Sequence, residues 1–241
     1  MEYFIYNNNA SYEFGLIVTG LRTYGAPNRR VETVHVPGKN GDLLIDEGTF
    51  DNIIVSYDIA VVQDFPINAR KIAQWLLADG GYHYLWDTYN QNNPHQDSFR
   101  LATYFNAIDF DVESLKKQGK ATINFYAKPQ RFFSESRVQN GNGTITVTNP
   151  YGFTAKPTIT TSGTVTITVG DIVIKVNEIY NSRITIDSET MQCYEGDVNC
   201  NSMVEIDEFP VIPPYETVSF RISGASSSSV FTSISPNFWE L

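Results

Sequence analysis

A chain of 241 residues is long enough for one large β domain or for two of about 100–150 residues each. Its 17 basic and 27 acidic residues leave a formal charge of −10, and an acidic surface repels phosphate, which argues against nonspecific binding to nucleic acid or to anionic lipid. No run of about 18 apolar residues offers a membrane span, and the opening MEYFIYNNNASYEFG lacks the basic-then-apolar order of a signal peptide, so the chain is expected to fold first in a cytoplasm.

Charged residues are scarce, while Thr, Ser, Asn, Tyr, Phe and β-branched residues abound, a mix that favours strands joined by Gly/Asn/Pro turns. The first unusual stretch is HVPGKNGDLLIDEGTFDN, His35 to Asn52, with glycines at 38, 41 and 48 and Lys39 between the first two. A phosphate-binding loop needs GxxxxGK[ST] and a helix after it; this stretch has neither spacing nor helix and reads as a glycine-bent loop between strands. NIIVSYDIAVV follows, with Ile53, Val55, Tyr57, Ile59 and Val61 on one face and Asn52, Ser56 and Asp58 on the other, which predicts a half-buried antiparallel strand. DFPINARKIAQWLLADGGY predicts the helix of this half. Asp64 stands at the N-cap, Pro66 in the first turn, and Phe65, Ala69, Ile72 and Leu76 recur on one face beside Trp75, with Gly80-Gly81 as the stop. KATINFYAK then predicts a second alternating strand with Ala121, Ile123 and Phe125 inward.

The texture changes after AKPQRFF. A Gly/Asn-rich stretch near Glu135–Asn142 marks a boundary between a unit of residues 1–135 and one of residues 136–241, the second a small all-β sandwich or jelly roll. In TVTITVGDIVIKV two alternating runs flank Gly170-Asp171, a strong two-residue hairpin signal.

Reactive constellations are weak. His35, His83 and His95 form no HxxxH or HExxH, and no nucleophile–base pattern is legible. In DVNCNSMVEIDE, Asp197, Asn199, Asn201, Glu205 and Glu208 fall at calcium-loop positions 1, 3, 5, 9 and 12. Ser202 stands where the turn demands glycine, however, and a strand and FPVIPP flank it where helices should, so a polar hairpin is expected. Asp109/Asp111 and Asp207/Glu208 are carboxylate pairs that no spacing places in a cleft. Tyr180, Tyr194, Phe238 and Trp239 could form a sugar platform, though strand aromatics more often serve a core. Cys193 and Cys200 are read as two free thiols of a reducing compartment, a bridge across a hairpin being the alternative. The expectation is therefore no catalytic residue, no cofactor and no metal.

Taken together, VPGKNGDLL, GTFDNIIVSY, ARKIAQWLLADGGYHYLWDTYN and KATINFYAKPQRF resemble the N-terminal half of the siphophage distal tail protein (Dit) family. NPYGFTAKPTITTSG, ITIDSETMQCY, NSMVEIDEFPVIPPYETVSF and SPNFWEL resemble its C-terminal domain, in the same order. Where the family carries Gly before Asp-Phe-Pro and a Pro-Gly-Asn turn after it, this chain reads IDEFP and PPYET, so those turns are expected to differ in shape. The resemblance implies a mainly β virion protein: a β-sandwich-like N-terminal ring domain with one α-helix, and a galectin-like C-terminal β-sandwich. It also implies a homo-hexameric ring at the tip of a non-contractile tail, assembled in the host cytoplasm. Such a ring joins the tail tube protein to the tail-associated hub protein, and its outer domains are candidate docking sites for receptor-binding proteins in host attachment. The sugar-reading HxNPR string of galectins is absent. On this reading the loop of Pro37, Gly38, Lys39, Asn40, Gly41, Asp42 and Leu43, continuing to Thr49, is expected at the boundary between ring subunits. Its strands around Val34 and Leu43–Ile45 would offer free edges to a neighbour. A virion-borne carbohydrate-binding module is the alternative, argued from the C-terminal aromatics, and a glycosidase stands third.

Overall fold

The computed structural model describes residues 2–20, 25–62, 64–87, 98–113, 118–133, 139–141, 143–224 and 230–241. His95, the 134–138 part of the expected boundary and Asn142 lie outside the described residues. Contacts divide the chain into two units, Met1–Arg131 with Leu241 and Phe132–Glu240. The architecture is mainly β with one α-helix, as expected.

In the first unit the strands are β1 (Phe4–Tyr6), β2 (Asn9–Ala10), β3 (Leu16–Thr19), β4 (Arg29–Val34), β5 (Leu43–Phe50), β6 (Ile53–Val61), β7 (His83–Asp87), β8 (Ser98–Thr103), β9 (Asp111–Glu113) and β10 (Gln118–Phe133), with helix α1 at Phe65–Leu77. One sheet runs β2-β1-β7-β8-β10-β6-β3, with β9 added beside β10, while β4 and β5 form a separate two-stranded sheet. β6 and β10 are the two alternating segments read from the sequence, and they pair antiparallel from Gly119↔Val61 to Ala127↔Ile53. Their inward residues Tyr57, Ile59, Val61, Ile123 and Phe125 are buried with Ile72, Trp75 and Leu76 of α1. Phe125 sits at the centre of this core, 4.8 Å from the Tyr6 ring and 5.5 Å from the Phe4 ring. Gly119 is explained by the same packing: a Cβ there would lie 2.0 Å from the Phe65 ring, so only glycine lets the helix start lie down on β10.

Both helix ends depart from expectation. Asp64 occupies the N-cap but makes no side-chain cap bond, because its backbone is left-handed (φ 44°, ψ 42°) and a capping side chain reaches the N2 and N3 amides from an extended backbone. Its carbonyl accepts the Ile67 and Asn68 N–H groups instead, at 2.9 and 3.0 Å. Gly80-Gly81 is not a left-handed stop. The C-cap is Ala78 in right-handed conformation, and the chain leaves through Asp79, whose Oδ1 accepts the Gly81 N–H at 3.0 Å as in an Asx turn.

In the second unit the strands are β11 (Gln139–Gly141), β12 (Gly143–Thr148), β13 (Thr158–Thr161), β14 (Val165–Val169), β15 (Ile172–Val176), β16 (Ile184–Asp187), β17 (Gln192–Glu195), β18 (Val198–Asn199), β19 (Val204–Ile206), β20 (Thr217–Ser223), β21 (Thr232–Ser235) and β22 (Trp239–Glu240). Two sheets, β11-β21-β13-β16-β17-β18 and β12-β20-β14-β15-β19, share one core. Ile159, Ile186 and Ile234 enter it from the first sheet, and Ile145, Ile167, Ile174 and Phe220 from the second, which makes this unit a β-sandwich. Gly170-Asp171 is the two-residue hairpin loop expected, closed by Val169↔Ile172 with Gly170 at φ 57°. In PPYET, Tyr215 holds φ 59° and is 74% exposed, so the turn keeps a left-handed residue although a bulky side chain stands there.

Candidate assembly interface

Residues 35–42 join β4 to β5, which pair from Val34↔Leu43 to Val31↔Asp46, with a bulge before Arg29↔Phe50. The sharp turn is built by Pro37-Gly38: the Lys39 N–H bonds the Val36 carbonyl at 3.2 Å, and Gly38 holds φ 80°, as a type II turn with Pro and then Gly requires. Gly41 and Gly48 also hold left-handed conformations, at φ 81° and 69°. A Cβ at any of the three would meet nothing within 4 Å, so backbone angle, and no close neighbour within the chain, demands glycine here.

The hairpin stays together through its own polar contacts. Arg29 Nε donates to Asp46 Oδ2 at 2.8 Å and Arg30 Nε to Asp51 Oδ1 at 2.7 Å. Hydrogen bonds from Arg29 and from the Gly48 N–H hold the Asp46 carboxyl below its ordinary range. That contribution is present above the unfolded carboxylate pKa and is lost as pH falls through the lowered value. His35 Nδ1 stands 3.4 Å from Asp42 at the loop end, and the Asp51 N–H bonds the Asn28 carbonyl at 2.9 Å at the base.

Burial is what the hairpin lacks. β4 and β5 pair with each other and with no other described strand, and almost all their residues are exposed, Leu43 at 47%, Leu44 at 66% and Ile45 at 46%. Opposite residues of a ladder share a face, so Val34, Leu43 and Ile45 lie on one side and Leu44 and Val31 on the other. A two-stranded hairpin apolar on both sides is at best marginal in water and is stabilised by a surface that covers it. The sequence reading singled out the loop. It missed Val31 and the two arginine–aspartate links, for which the signal was Arg29-Arg30 facing a strand that carries Asp46.

The remaining sequence candidates are dispersed. His83 lies 3.2 Å from Asp79 and edge-on to Tyr6. Asp111 pairs across from Lys120 on β10. Asp207 and Glu208 are exposed in the bend after β19. The calcium-like segment is not the hairpin expected: β18 pairs with β17 in one sheet, a 3-10 turn follows at Asn201–Met203, and β19 pairs with β15 in the other sheet, so the segment crosses the sandwich, and three of its five candidate side chains are already engaged. Asn201 Oδ1 accepts the Cys193 N–H at 2.6 Å, Asn199 Oδ1 accepts the Asn201 N–H at 3.0 Å, and Glu205 pairs with Lys175 at 3.0 Å. Among the described residues no three His, Cys, Asp or Glu side chains gather as they would around a metal ion. A chelator is therefore expected to leave the melting temperature unchanged; a fall of several degrees reversed by added calcium contradicts this. Cys193 and Cys200 are free and buried, and the Cys200 N–H bonds the Cys193 carbonyl at 2.8 Å. Burial, and then the neighbouring Cys200, push the Cys193 thiol up to about 11. Of the candidate platform, Trp239 stacks on Phe153 at 4.3 Å and Phe238 lies 5.9 Å from Tyr151, while Tyr180 stands exposed.

No family model and no curated protein matches this chain. Solved structures do match. A crystal structure of SPP1 Dit (gp 19.1) protein, described as a paradigm of the hub adsorption apparatus in Gram-positive infecting phages, aligns with a TM-score of 0.67. The two share a fold. The likeness covers 97% of this chain and 98% of that one at 12% identity, so the Dit fold extends over both units although few residues are held in common.

Proposed function

We propose that this chain is a structural component of a siphophage tail tip, a distal tail protein that forms a homo-hexameric ring. Residues 1–135 are the ring-forming domain and residues 136–241 a galectin-like domain. The ring joins the tail tube to the tail-associated hub, and its outer domains dock receptor-binding proteins. The protein is a virion component assembled in the host cytoplasm, and it is not an enzyme. The observation that carries this reading is the β4–β5 hairpin, apolar on both sides and paired with nothing else described in its own chain, on a fold shared with SPP1 Dit. Pro37–Thr49 is then the joint between subunits, its open glycine-bent backbone lying against another chain.

Replacing Gly38–Asp42 with a short Ser/Gly linker leaves the monomer's melt nearly unchanged, because no core residue is touched. It raises the concentration needed for assembly by about tenfold or more, equivalent to ~1.4 kcal/mol. Light scattering of variant and parent measures this, with the tube or hub partner added if the parent alone stays monomeric. Intact rings at the parent's threshold would remove the loop from the joint.

A further inference from the structure

We infer that the outer face of the first unit's sheet, the face turned away from α1, is the seat for the β4–β5 hairpin of a second copy of this chain. The inference rests on the reading of that hairpin as a subunit joint and adds what it docks on. A sheet with one face buried normally turns polar residues outward. Here Ile54, Tyr84 and Tyr126 point outward at 67%, 56% and 39% exposure. Ile54 lies directly across from Tyr126, the Phe105 ring is 5.8 Å from Tyr126, and Tyr84 meets Phe99 ring to ring at 4.6 Å. Lys128 follows two residues after Tyr126, on the same face, its Nζ 5.3 Å from the Tyr82 ring. At the other end of the face the polar groups are matched among themselves, Ser56 with Asn124 and Asp58 with Thr122, each at 2.7 Å. The apolar end is the part that lacks a cover.

The hairpin fits it in chemistry and size. One of its faces combines Val34, Leu43 and Ile45 with Glu32 and Glu47, apolar residues for the aromatic end of the sheet and carboxylates for Lys128. An eight-residue β5 is about 27 Å long, enough to cross the four strands β7, β8, β10 and β6 at about 4.8 Å spacing. Within one chain Arg30 at the base of the hairpin feels Tyr126 of its own sheet, yet Leu43, Ile45, Ile54 and Tyr126 all stay exposed, so the chain's own hairpin does not cover the seat. A chain that carries both halves of such a contact at different places makes a head-to-tail joint, the type of contact that builds a ring when the rotation between subunits closes.

Ile45→Cys combined with Tyr126→Cys in the full chain tests the seat, using diamide to oxidise each thiol pair to a disulfide while it is itself reduced to the hydrazine. The double variant is expected to give a reducible ladder of dimers and larger species, and each single variant no product beyond a dimer. A parent that assembles by light scattering while the double variant gives no ladder overturns the seat and leaves the hairpin joint standing. A parent that stays monomeric, alone and with the tube or hub partner, overturns both. Lys128→Glu serves where the cysteine pair misfolds. It raises the assembly threshold about fivefold per joint, and Glu47→Lys in the same chain restores it; an unchanged threshold in Lys128→Glu overturns the seat.

Discussion

Trp75→Ala is expected to cost the first unit about 3–5 kcal/mol, the range for removing a large aromatic from a core. Trp75 is the side chain through which α1 and the N-terminal strands meet. Its ring stacks on Phe14 at 4.4 Å and on Phe4 at 5.9 Å, and its indole N–H donates to the Tyr6 carbonyl at 3.1 Å. Alanine empties the space between those rings and leaves the Tyr6 carbonyl without that donor. Since native domains are stable by only about 5–15 kcal/mol, much of the unit's margin goes with it. Calorimetry of variant and parent gives the loss, and light scattering shows assembly failing alongside, because the hairpin and its seat both belong to this unit. A loss under about 1 kcal/mol would mean that α1 is held by other contacts.

Asn149→Ala tests the second unit by a different mechanism. Asn149 is fully buried, and its amide N–H groups donate to the Phe153 and Ile212 carbonyls at 2.8 and 3.1 Å while its Oδ1 accepts the Tyr151 N–H at 3.0 Å. The Ile212 carbonyl keeps a second donor, the Ala155 N–H at 2.9 Å, but the Phe153 carbonyl and Tyr151 N–H lose this partner. Each of the three hydrogen bonds of the buried Asn149 amide is worth about 1 kcal/mol net, so a loss of about 3 kcal/mol is expected. Assembly should persist, since the ring is assigned to the first unit. Calorimetry paired with light scattering reads both effects. Loss of assembly together with the second unit's fold would contradict the assignment of the ring to residues 1–135.

Much of the local structure was legible because local rules governed it. Ile53 to Val61 and Ala121 to Phe125 alternate with period two, and both became strands whose inward residues are buried, with Ile53, Val55 and Ala121 partly so. Ile72, Trp75 and Leu76 share a helical face and are buried on it. Gly170-Asp171 sits between two alternating runs and closes a hairpin. These patterns depend on side chains a few residues apart, which the chain order already specifies.

The helix ends were not legible in the same way. Asp64 has the composition of a cap and Gly80-Gly81 that of a stop, but the backbone angles at these residues follow from how the chain enters and leaves the sheet. For the candidate interface, the turn chemistry of Pro37-Gly38 and the flanking strands could be read from residue types. The alternation from Ile53 to Val61 reads as one apolar and one polar face, and Ile54 on the polar face and Tyr126 beside Phe125 went unread. What no single strand reveals is which side the chain itself covers. Alternation specifies that a face prefers burial; whether a partner within the chain supplies it depends on strand order across distant segments. Here that order places α1 over one side of the sheet and leaves Ile54, Tyr84 and Tyr126 on the other, and among the described strands it pairs β4 with β5 alone. The surfaces this chain leaves to another protein are therefore a product of tertiary structure, because exposure is what remains after every long-range pairing has been made.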